Sequence, residues 1–370
     1  MQSYKGVRVL VTGHTGFKGG WLCTWLKQDG AAVGGLALAP EEDRPSLFET
    51  ARIGEGMAST IGDIRCLETV QKTFDEFRPA IVFHLAAQAL VRRSYRDPVV
   101  TFASNVMGTV HVLEASRQCP DVRAVVCVTT DKVYEERQWP WAYRENDRLG
   151  GKEPYSASKA CAEIAAAAYA ETLLPLTGLI KTATARGGNV IGGGDWSEDR
   201  IVPDIVRAIE MRTPLRLRYP GSIRPWQHVL ELTHAYLHLG TRLLVGDPGA
   251  TGAWNFGPEM SEEVSVDDLV RAFLAAWGED LAVERGKGEL QEAHALRLDV
   301  SKARQLLNWR PALNFSEMIT LAADWYRRHS AGEDASVVLA EQISDYRQKR
   351  DAWDHSQPGL REAAASSGER

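Results

Sequence analysis

Two short signatures combine residue types that can move protons. Tyr155 is followed four residues later by Lys159, a spacing that places a phenol and an amine on one face of a helix. An isolated phenol has a pKa of about 10, and a neighbouring ammonium group lowers that pKa by stabilising the phenolate. The second signature, Thr130-Asp131-Lys132, adds a hydroxyl, a carboxyl group and another amine. Because alcohol oxidation needs only the tyrosine group, the carboxyl group predicts a further reaction step.

A glycine-rich segment follows the first predicted strand and opens the first predicted helix. Its spacing, G-x-x-G-x-x-G, lets the backbone turn sharply and approach a pyrophosphate at the positive end of the helix. We therefore predict a dinucleotide site formed by Gly13, His14, Thr15, Gly16, Phe17, Lys18 and Gly19.

The choice between the two common dinucleotides depends on the end of the second predicted strand. An acid usually binds the adenosine ribose there, but this chain has Ala37-Leu38-Ala39-Pro40. The later acids Glu41, Glu42 and Asp43 either replace it from a loop or are solvated surface charges. No arginine stands directly at the strand end to accept a 2′-phosphate, so NAD is the expected cofactor. Asp63 and Ile64 are positioned after the third strand to meet the adenine edge, with a surface turn as the alternative for Asp63.

Short β-rich runs alternate with helical patterns in the first half of the chain. This alternation predicts an α/β fold, a Rossmann-type doubly wound parallel sheet. Strands are expected over residues 7–12, 33–37, 80–85, 124–129 and 179–184, and helices over 20–28, 101–118 and 156–172. Farther along, helices are expected over residues 203–212 and 266–277, and residues 254–257 should return a strand to the first sheet.

The change of pattern after Arg186 predicts two domains. Residues 1–186, with about 224–257, are assigned to an NAD-binding domain. A smaller, discontinuous C-terminal substrate domain is assigned to about 187–223 and 258–350. The polar, Ala/Ser-rich tail over 355–370 lacks periodicity and is predicted to be disordered.

Composition excludes several classes of protein. The chain has 370 residues, 44% of them hydrophobic and 25% charged, which is typical of a globular protein. A net charge of -6 without a basic block argues against nucleic acid as a partner. No apolar run reaches about 18 residues, so no membrane partner is expected. Scattered cysteines without a Cys-x-x-Cys pair predict no metal site and favour a reducing cytoplasm: Cys23, Cys66, Cys119, Cys127 and Cys161.

With these residues in hand, the chain resembles the extended short-chain dehydrogenase/reductase family, and more narrowly its sugar-nucleotide 4,6-dehydratases of the CDP-glucose type. The likeness runs over about residues 5–350. The glycine and Tyr-x-x-x-Lys motifs are shared by the whole superfamily, whereas other motifs are far more selective. The selective motifs are Asp131-Lys132, Gly192-Gly193-Gly194-Asp195-Trp196 and Arg224-Pro225-Trp226-Gln227-His228.

The resemblance implies a reaction in which CDP-glucose gives CDP-4-keto-6-deoxyglucose and water, with NAD reduced and reoxidised in each turnover. Tyr155 would remove the proton of the 4-hydroxyl group, and Thr130 would hydrogen-bond that hydroxyl. Lys159 would hold the cofactor ribose and tune Tyr155. Asn105 matches the family's structural asparagine, which supports the helix that carries the tyrosine. The matching cofactor segment after the fourth strand is Leu85-Ala86-Ala87.

The roles of Asp131 and Lys132 stay open. The thymidine-linked relatives have aspartate and glutamate at these positions, as acid and base. An amine at position 132 takes the C5 proton only if its pKa falls well below about 10.4. Otherwise Lys132 stabilises the enolate and Asp131 is base, acid or both. We prefer Asp131 protonating the leaving hydroxyl and Lys132 acting at C5.

The substrate side should carry cations and hydrogen-bond donors for a diphosphate. Arg224 and Asn189 match the diphosphate-binding residues of relatives, and Arg200 occupies a basic position common to sugar-nucleotide enzymes. Each is alternatively a surface charge or a turn residue. The complete predicted substrate set is Gln88, Arg93, Ser94, Asn189, Arg200, Arg224, His228 and Glu292.

Three other functions compete with this one. A dTDP- or GDP-linked sugar dehydratase is the nearest alternative, because only the resemblance points to cytidine. A nucleotide-sugar 4-epimerase needs the tyrosine and cofactor but no acid or base at positions 131 and 132. A non-catalytic dinucleotide sensor would not require Thr130, Tyr155 and Lys159 together.

The oligomeric state is predicted from two helices rich in small and apolar residues, 101–118 and 156–172. In the family such helices form a four-helix interface, so a homodimer is expected. Ordinary packing of both helices onto the sheet is the alternative.

Overall fold

A computed structural model describes residues 4–174, 180–259, 264–286 and 297–355. Its strands are β1 (Arg8–Thr12), β2 (Ala32–Ala37), β3 (Ala58–Ile61), β4 (Ile81–His84), β5 (Ala124–Val128), β6 (Lys181–Arg186), β7 (Val190–Ile191), β8 (Leu215–Leu217), β9 (Gln227–His228), β10 (Gly252–Asn255) and β11 (Val283–Arg285). Seven of them form one sheet in the order β3-β2-β1-β4-β5-β6-β10, and every neighbouring pair is parallel. This is the doubly wound order, so the predicted fold class is confirmed.

Helices connect these strands. They are α1 (Phe17–Gln28), α2 (Leu47–Thr50), α3 (Leu67–Phe77), α4 (Val91–Arg96), α5 (Pro98–Phe102), α6 (Gly108–Gln118), α7 (Pro154–Ala168), α8 (Ile201–Met211), α9 (Val229–Leu244), α10 (Val266–Trp277), α11 (Ser301–Leu306), α12 (Phe315–Ser330) and α13 (Ala335–His355). Among the described residues, none of these helices is long and apolar enough to cross a membrane.

Strands β1, β4 and β5 are largely apolar because both faces of the sheet are covered. In β1, Val9 and Val11 belong to the core on one face, whereas Leu10 belongs to the core on the other. The same alternation places Phe83 and Val82 of β4 in opposite cores. Burial on both sides explains why these strands read as continuous hydrophobic runs in the sequence.

Two predicted helices contain π-helical turns. Residues 101–118 comprise the end of α5, a π-helical segment at Ala103–Met107, and then α6. Helix α7 likewise continues into a π-helical segment at Tyr169–Leu173. A π turn holds one extra residue, which changes the direction of the side chains that follow it.

The remainder of the chain forms smaller pieces around the sheet. Strands β7 and β9 pair with each other, as do β8 and β11. The predicted return of the chain to the main sheet is confirmed, because β10 pairs with β6 and Asn255 lies opposite Arg186. The division into two domains stays a prediction, and the tail over 356–370 lies outside the described residues.

Candidate active site

A cavity of about 430 Å³ is lined by residues that follow three parallel strands. Lys18 comes after β1, Thr129 to Lys132 after β5, and Gly187 to Asn189 after β6. Ligands bind at the carboxyl ends of strands in open α/β sheets, because the loops there meet at one edge. Tyr155, at the start of α7, lines the same cavity.

The glycine loop is shaped for a ligand that approaches the backbone. Gly13 has φ +79°, and a Cβ atom there would lie 2.8 Å from the nitrogen of Ala86. A Cβ atom at Gly19 would lie 2.1 Å from the oxygen of Gly13. Only glycine fits both positions, so the loop keeps the tight turn and close helix packing that a dinucleotide pyrophosphate requires.

Two side chains of the glycine loop, those of His14 and Thr15, are engaged by neighbouring parts of the protein. His14 is buried, and its Nε2 lies 2.8 Å from Oγ of Ser59. Burial lowers the pKa of His14 to about 4, so the imidazole is neutral near pH 7. Thr15 donates a hydrogen bond of 2.9 Å to the oxygen of Leu38. The residues present therefore fit a dinucleotide held mainly by backbone groups.

The remaining predicted cofactor residues lie around this loop. Ala86 donates its N–H to Oγ1 of Thr12 at 3.2 Å, which joins the segment after β4 to the end of β1. Asp63 is bound by its neighbour Arg65, with 2.8 Å between Oδ2 and Nε. The side chain of Ile64 is buried against Gly108. Contact of Asp63 and Ile64 with an adenine therefore stays a prediction.

Glu41 does not stand free at the end of the second strand. Its carboxylate pairs with Arg44 from its own loop and with Arg93 of α4. Arg93 is thus engaged in an ion pair whose two side chains are 41% exposed, and it is absent from the cavity lining. Its predicted role in substrate binding gains no support from this position.

Tyr155 is held at the amino end of α7 by Glu153. The Glu153 carboxylate caps the helix by accepting the N–H groups of Tyr155 (2.7 Å) and Ser156 (2.9 Å). Burial raises the pKa of the Tyr155 phenol to about 12, although a hydrogen bond with Thr130 acts in the opposite direction. The nearby negative charge of Asp131 raises this pKa further. Tyr155 therefore needs additional positive charge before it can act as a base.

Lys159 lies one turn farther along α7 on the same face. Its ammonium donates a hydrogen bond of 3.1 Å to the oxygen of Val128 at the end of β5. Burial lowers the pKa of Lys159 to about 8, and interactions with Cys127 and Glu163 oppose that shift. Lys159 and Tyr155 thus lie one helical turn apart on the same face of α7, as the four-residue spacing predicts.

Asn105, in the π-helical segment, joins α7 to the loop after β4. Its Nδ2 donates to Oγ of Ser158 at 2.9 Å and to the oxygen of Gln88 at 3.0 Å, and its Oδ1 accepts the N–H of Gln88 at 2.8 Å. The amide of Gln88 is itself bound to Leu90 and Thr101. Gln88 and Asn105 are therefore placed as supports of the site.

Asp131 is almost completely buried beside Thr130. Its Oδ1 accepts a hydrogen bond of 2.9 Å from the Thr130 hydroxyl. Its Oδ2 is buried and has no hydrogen-bond partner among the described residues. A Cβ atom at Gly188 would lie 2.1 Å from this Oδ2, so the carboxyl group packs directly on the backbone after β6. Lys132 lines the cavity next to it.

Three of the predicted substrate residues line the cavity on its other side. Asn189 adopts φ +41°, and its Nδ2 is buried without a hydrogen-bond partner among the described residues. Arg200 is the N-cap residue of α8, and its Nη1 lies 3.4 Å from Oδ2 of Asp195. Arg224 donates from Nη1 to the oxygen of Ile223 at 3.0 Å. The structure thus brings two guanidinium groups and one side-chain amide to the lining of the same cavity.

Other predicted substrate residues lie elsewhere. Ser94 is buried, where its hydroxyl donates to Val91 and accepts the N–H of Tyr155 at 3.2 Å. His228 is also buried, and it caps α9 by accepting the N–H of Leu230. Glu292 lies outside the described residues. In the part of the chain that the structure describes, no group of three His, Cys, Asp or Glu residues could hold a metal ion.

A buried ionic cluster beneath the site was not predicted. Glu163 accepts hydrogen bonds from Thr184 (2.7 Å) and Arg186 (2.8 Å), and Arg186 also donates to the Tyr134 hydroxyl at 2.8 Å. One signal was present in the sequence, because Glu163 follows Lys159 by four residues and therefore shares its helix face.

The sequence is similar to that of several sugar-nucleotide enzymes. Residues 10–322 match the family model described as GDP-mannose 4,6 dehydratase. The CDP-glucose 4,6-dehydratase of Salmonella typhimurium is 45% identical over 349 residues, which cover 93% of this chain and 97% of the relative. A dTDP-glucose 4,6-dehydratase of Xanthomonas campestris pv. campestris is 30% identical over 341 residues, covering 86% of this chain and 92% of the relative.

The fold is similar to that of solved enzymes as well. The structure of Thermus thermophilus UDP-glucose 4-epimerase in complex with NAD superimposes with a TM-score of 0.73. It is 28% identical in sequence, and the match covers 87% of this chain and 99% of that one. That epimerase is a case in which the same architecture binds NAD.

Proposed function

Because the chain belongs to the GDP-mannose 4,6 dehydratase family, we propose that it dehydrates CDP-glucose to CDP-4-keto-6-deoxyglucose, with NAD as its cofactor. The observation that carries the proposal is the meeting of Thr130, Asp131, Lys132 and Tyr155 in one cavity. The cytidine part is supported by the relative that is 45% identical, whose name specifies CDP-glucose.

The glycine loop from Gly13 to Gly19 would hold the NAD pyrophosphate, with Leu85 to Ala87 beside it. When bound, NAD would supply the hydride acceptor for oxidation at C4 of the hexose and the hydride donor for reduction at C6. Lys159 would bind the nicotinamide ribose from beneath, next to Tyr155. A positive charge there would favour the Tyr155 phenolate and so oppose the burial that raises the Tyr155 pKa.

Tyr155 would accept the proton of the 4-hydroxyl group as C4 is oxidised, while Thr130 positions that hydroxyl by a hydrogen bond. The resulting 4-ketone acidifies the proton on C5. Asp131 would then protonate the departing 6-hydroxyl group, and Lys132 would take the C5 proton, so that one water molecule leaves. Lys132 would return that proton to C5 as hydride is delivered to C6. In the alternative division, Lys132 stays charged beside the enolate and Asp131 serves as acid and base in turn.

The diphosphate of the substrate would lie against the wall formed by Asn189, Arg200 and Arg224. Guanidinium groups bind phosphate oxygens through paired N–H donors, and an amide adds a further donor. The buried Asn189 Nδ2, which lacks a partner among the described residues, is suited to this contact.

One assay separates the competing functions. The protein is incubated with NAD and, separately, with CDP-glucose, dTDP-glucose, UDP-glucose, GDP-glucose or GDP-mannose, and the products are weighed by mass spectrometry. We expect CDP-glucose to lose the mass of one water molecule fastest. Faster water loss from another nucleotide would replace cytidine, and unchanged mass with inverted C4 would indicate an epimerase. No turnover of any substrate would refute the proposal and favour a dinucleotide sensor.

We further propose that the protein is a cytoplasmic homodimer. Apolar side chains stand exposed on α4, α5, α7 and the π-helical segment between α5 and α6: Tyr95 (48%), Val99 (79%), Met107 (47%) and Ile164 (59%). These elements contact one another, and exposed apolar side chains on neighbouring elements are typical of a protein interface. All five cysteines are free, as expected in a reducing compartment.

A further inference from the structure

The side chain of Lys18 is a cation of the cavity that has no role in the proposed reaction. It stands in the first turn of α1 and lines the same cavity as Tyr155 and Arg200. Its ammonium forms no hydrogen bond and no ion pair with any residue in the described ranges. An enclosed ammonium with three donors and no acceptor is costly to maintain unless a ligand supplies the acceptor.

The charges that face Lys18 come from every side of the cavity. Lys159 of α7 and Arg200 of the α8 N-cap repel it, whereas Asp131 after β5 and Asp195 before α8 attract it. Asp195 is engaged by Arg200 and by the N–H of Ser197, and Oδ1 of Asp131 accepts from Thr130, whereas Oδ2 of Asp131 has no hydrogen-bond partner among the described residues. Neither carboxyl group forms an ion pair with Lys18 within the described ranges, so no direct contact there neutralises the ammonium.

Two helix N-termini also meet at this cavity. Lys18 lies at the amino end of α1, which has 12 residues, and Arg200 caps α8, which has 11. Residues Ile201 to Asp204 of α8 line the cavity together with Lys18. Free N–H groups and the positive end of each helix favour an anion in the space between them.

We propose that Lys18 binds the diphosphate of the nucleotide sugar, together with Arg200. This inference rests on the proposed function, since it presumes a nucleoside diphosphate substrate. It changes the expected role of Lys18 from cofactor binding through the backbone to substrate binding through the side chain. The NAD pyrophosphate carries the same chemistry, so a test must distinguish the two ligands.

Binding through Lys18 should take up a proton. Burial, followed by the charges of Lys159 and Arg200, lowers the pKa of Lys18 to about 7. At pH 8 about nine-tenths of such an amine is neutral. A diphosphate at hydrogen-bonding distance favours the charged form and raises the pKa, so the amine becomes protonated as the ligand binds. Arginine at this position would bind the same anion without proton uptake, because it is always charged.

The test is calorimetric titration at pH 8 in two buffers of different ionisation enthalpy, which counts the protons taken up. The ligands are CDP, ADP-ribose as the cofactor fragment, and inorganic pyrophosphate, which is independent of the nucleobase. Lys18→Met and Lys18→Arg are compared with Lys152→Met, which removes an exposed cation from the same cavity wall. Circular dichroism confirms that each variant is folded.

We expect Lys18→Met to weaken CDP and pyrophosphate binding about 10-fold to 100-fold, as for loss of a charge-assisted hydrogen bond. Proton uptake on CDP binding should disappear in both Lys18 variants, while Lys18→Arg keeps more of the affinity than Lys18→Met. Lys152→Met should change CDP affinity less than about threefold and leave proton uptake intact.

Unchanged CDP and pyrophosphate binding in Lys18→Met would overturn the proposal, whatever happens to ADP-ribose. Failure of the wild-type protein to bind CDP is a different result, because it contradicts the proposed substrate. Weaker pyrophosphate binding in Lys18→Met with unchanged ADP-ribose binding would then still support a substrate-side role of Lys18, whereas equal weakening of both ligands would contradict it.

Discussion

Arg186 and Glu163 form an ion pair beneath the candidate active site, with 2.8 Å between Nη2 and Oε2 and side chains only 4% and 3% exposed. Glu163 also accepts the hydroxyl of Thr129, and Arg186 donates to the hydroxyl of Tyr134. Thr129 and Tyr134 flank the stretch that carries Asp131. The ion pair therefore fixes both ends of the stretch that is proposed to eliminate water.

Removing one partner of this pair should be strongly destabilising. Arg186→Met leaves the Glu163 carboxylate buried without its countercharge, and we expect the free energy of unfolding to fall by about 3–5 kcal/mol. Urea denaturation followed by circular dichroism measures this change. The double variant Arg186→Met/Glu163→Gln should regain part of the loss, because no buried charge remains. Equal stability of the single and double variants would show that the charge is not the cause.

Two glycines with similar backbone angles provide a matched test of the cofactor loop. Gly13 and Gly6 have φ values of +79° and +74°, but only Gly13 faces backbone atoms within 4 Å of an added Cβ. Both alanine variants should lose about 1–2 kcal/mol of stability from backbone strain. Only Gly13→Ala should lose NAD binding, measured by titration. Normal NAD affinity of Gly13→Ala would remove the loop from the cofactor site.

Asp131→Asn should separate oxidation from elimination. The amide keeps the size of the side chain but cannot protonate the 6-hydroxyl group. We expect reduced cofactor to appear in a single turnover, seen by its absorbance, while release of the dehydrated sugar falls at least about 100-fold. Normal product release by this variant would discard the assignment.

Gly188→Ala offers an independent control for Asp131, because it changes the position of the carboxyl group and not its chemistry. The added Cβ would lie 2.1 Å from Oδ2 and must displace the carboxyl group. Elimination should slow more than oxidation, as in Asp131→Asn. An equal loss of both steps would indicate a general disturbance of the cavity.

Acid should destabilise the fold through its buried histidines. Burial lowers the pKa of His84 and of His228 to about 3, from 6.5 in the unfolded chain. Between these values the unfolded state binds more protons, so the free energy of unfolding falls as pH falls, by about 1.4 kcal/mol per pH unit for each histidine. Urea denaturation between pH 7 and about pH 5 measures the slope. His228→Asn keeps a good N-cap residue and removes one of the two histidines. The dependence of the free energy of unfolding on pH should therefore become less steep by the contribution of one histidine. An unaltered dependence would contradict this account.

The apolar surface on α5 supplies the test of the dimer. Val99→Asp places a charge where the side chain is 79% exposed, and it should convert a dimer to a monomer in sedimentation velocity. Met211→Asp is the control, because Met211 is 69% exposed at the end of α8. If both variants sediment like the wild type, this face is not the interface.

The sequence predicted the fold and family because those depend on regular patterns. The apolar run of β1 and the glycine spacing that follows it are local features, and together they are typical of a strand, a tight turn and a helix. The family predicted from the sequence is confirmed by the match over residues 10–322. The return of residues 254–257 to the main sheet was also predicted, whereas the pairing of β10 with β6 was not.

Individual side chains were harder to predict, because their surroundings come from distant segments. His228 belongs to a selective motif, yet the packing of α9 buries it in the core. Arg93 follows a motif beside the cofactor, but Glu41 on another loop pairs with it. The partners of Arg186 come from three separate segments, so sequence spacing alone could not reveal the cluster that it forms.

The position of β10 at the edge of the sheet has a consequence for biosynthesis. Its residues, Gly252–Asn255, emerge from the ribosome long after those of β6, the one strand that pairs with it among the described residues. Until then, the nascent chain presents the unpaired backbone of β6 as an open edge, which favours association with other chains. Chains that stop before residue 252 should therefore aggregate, and the nascent chain depends on chaperones during that interval.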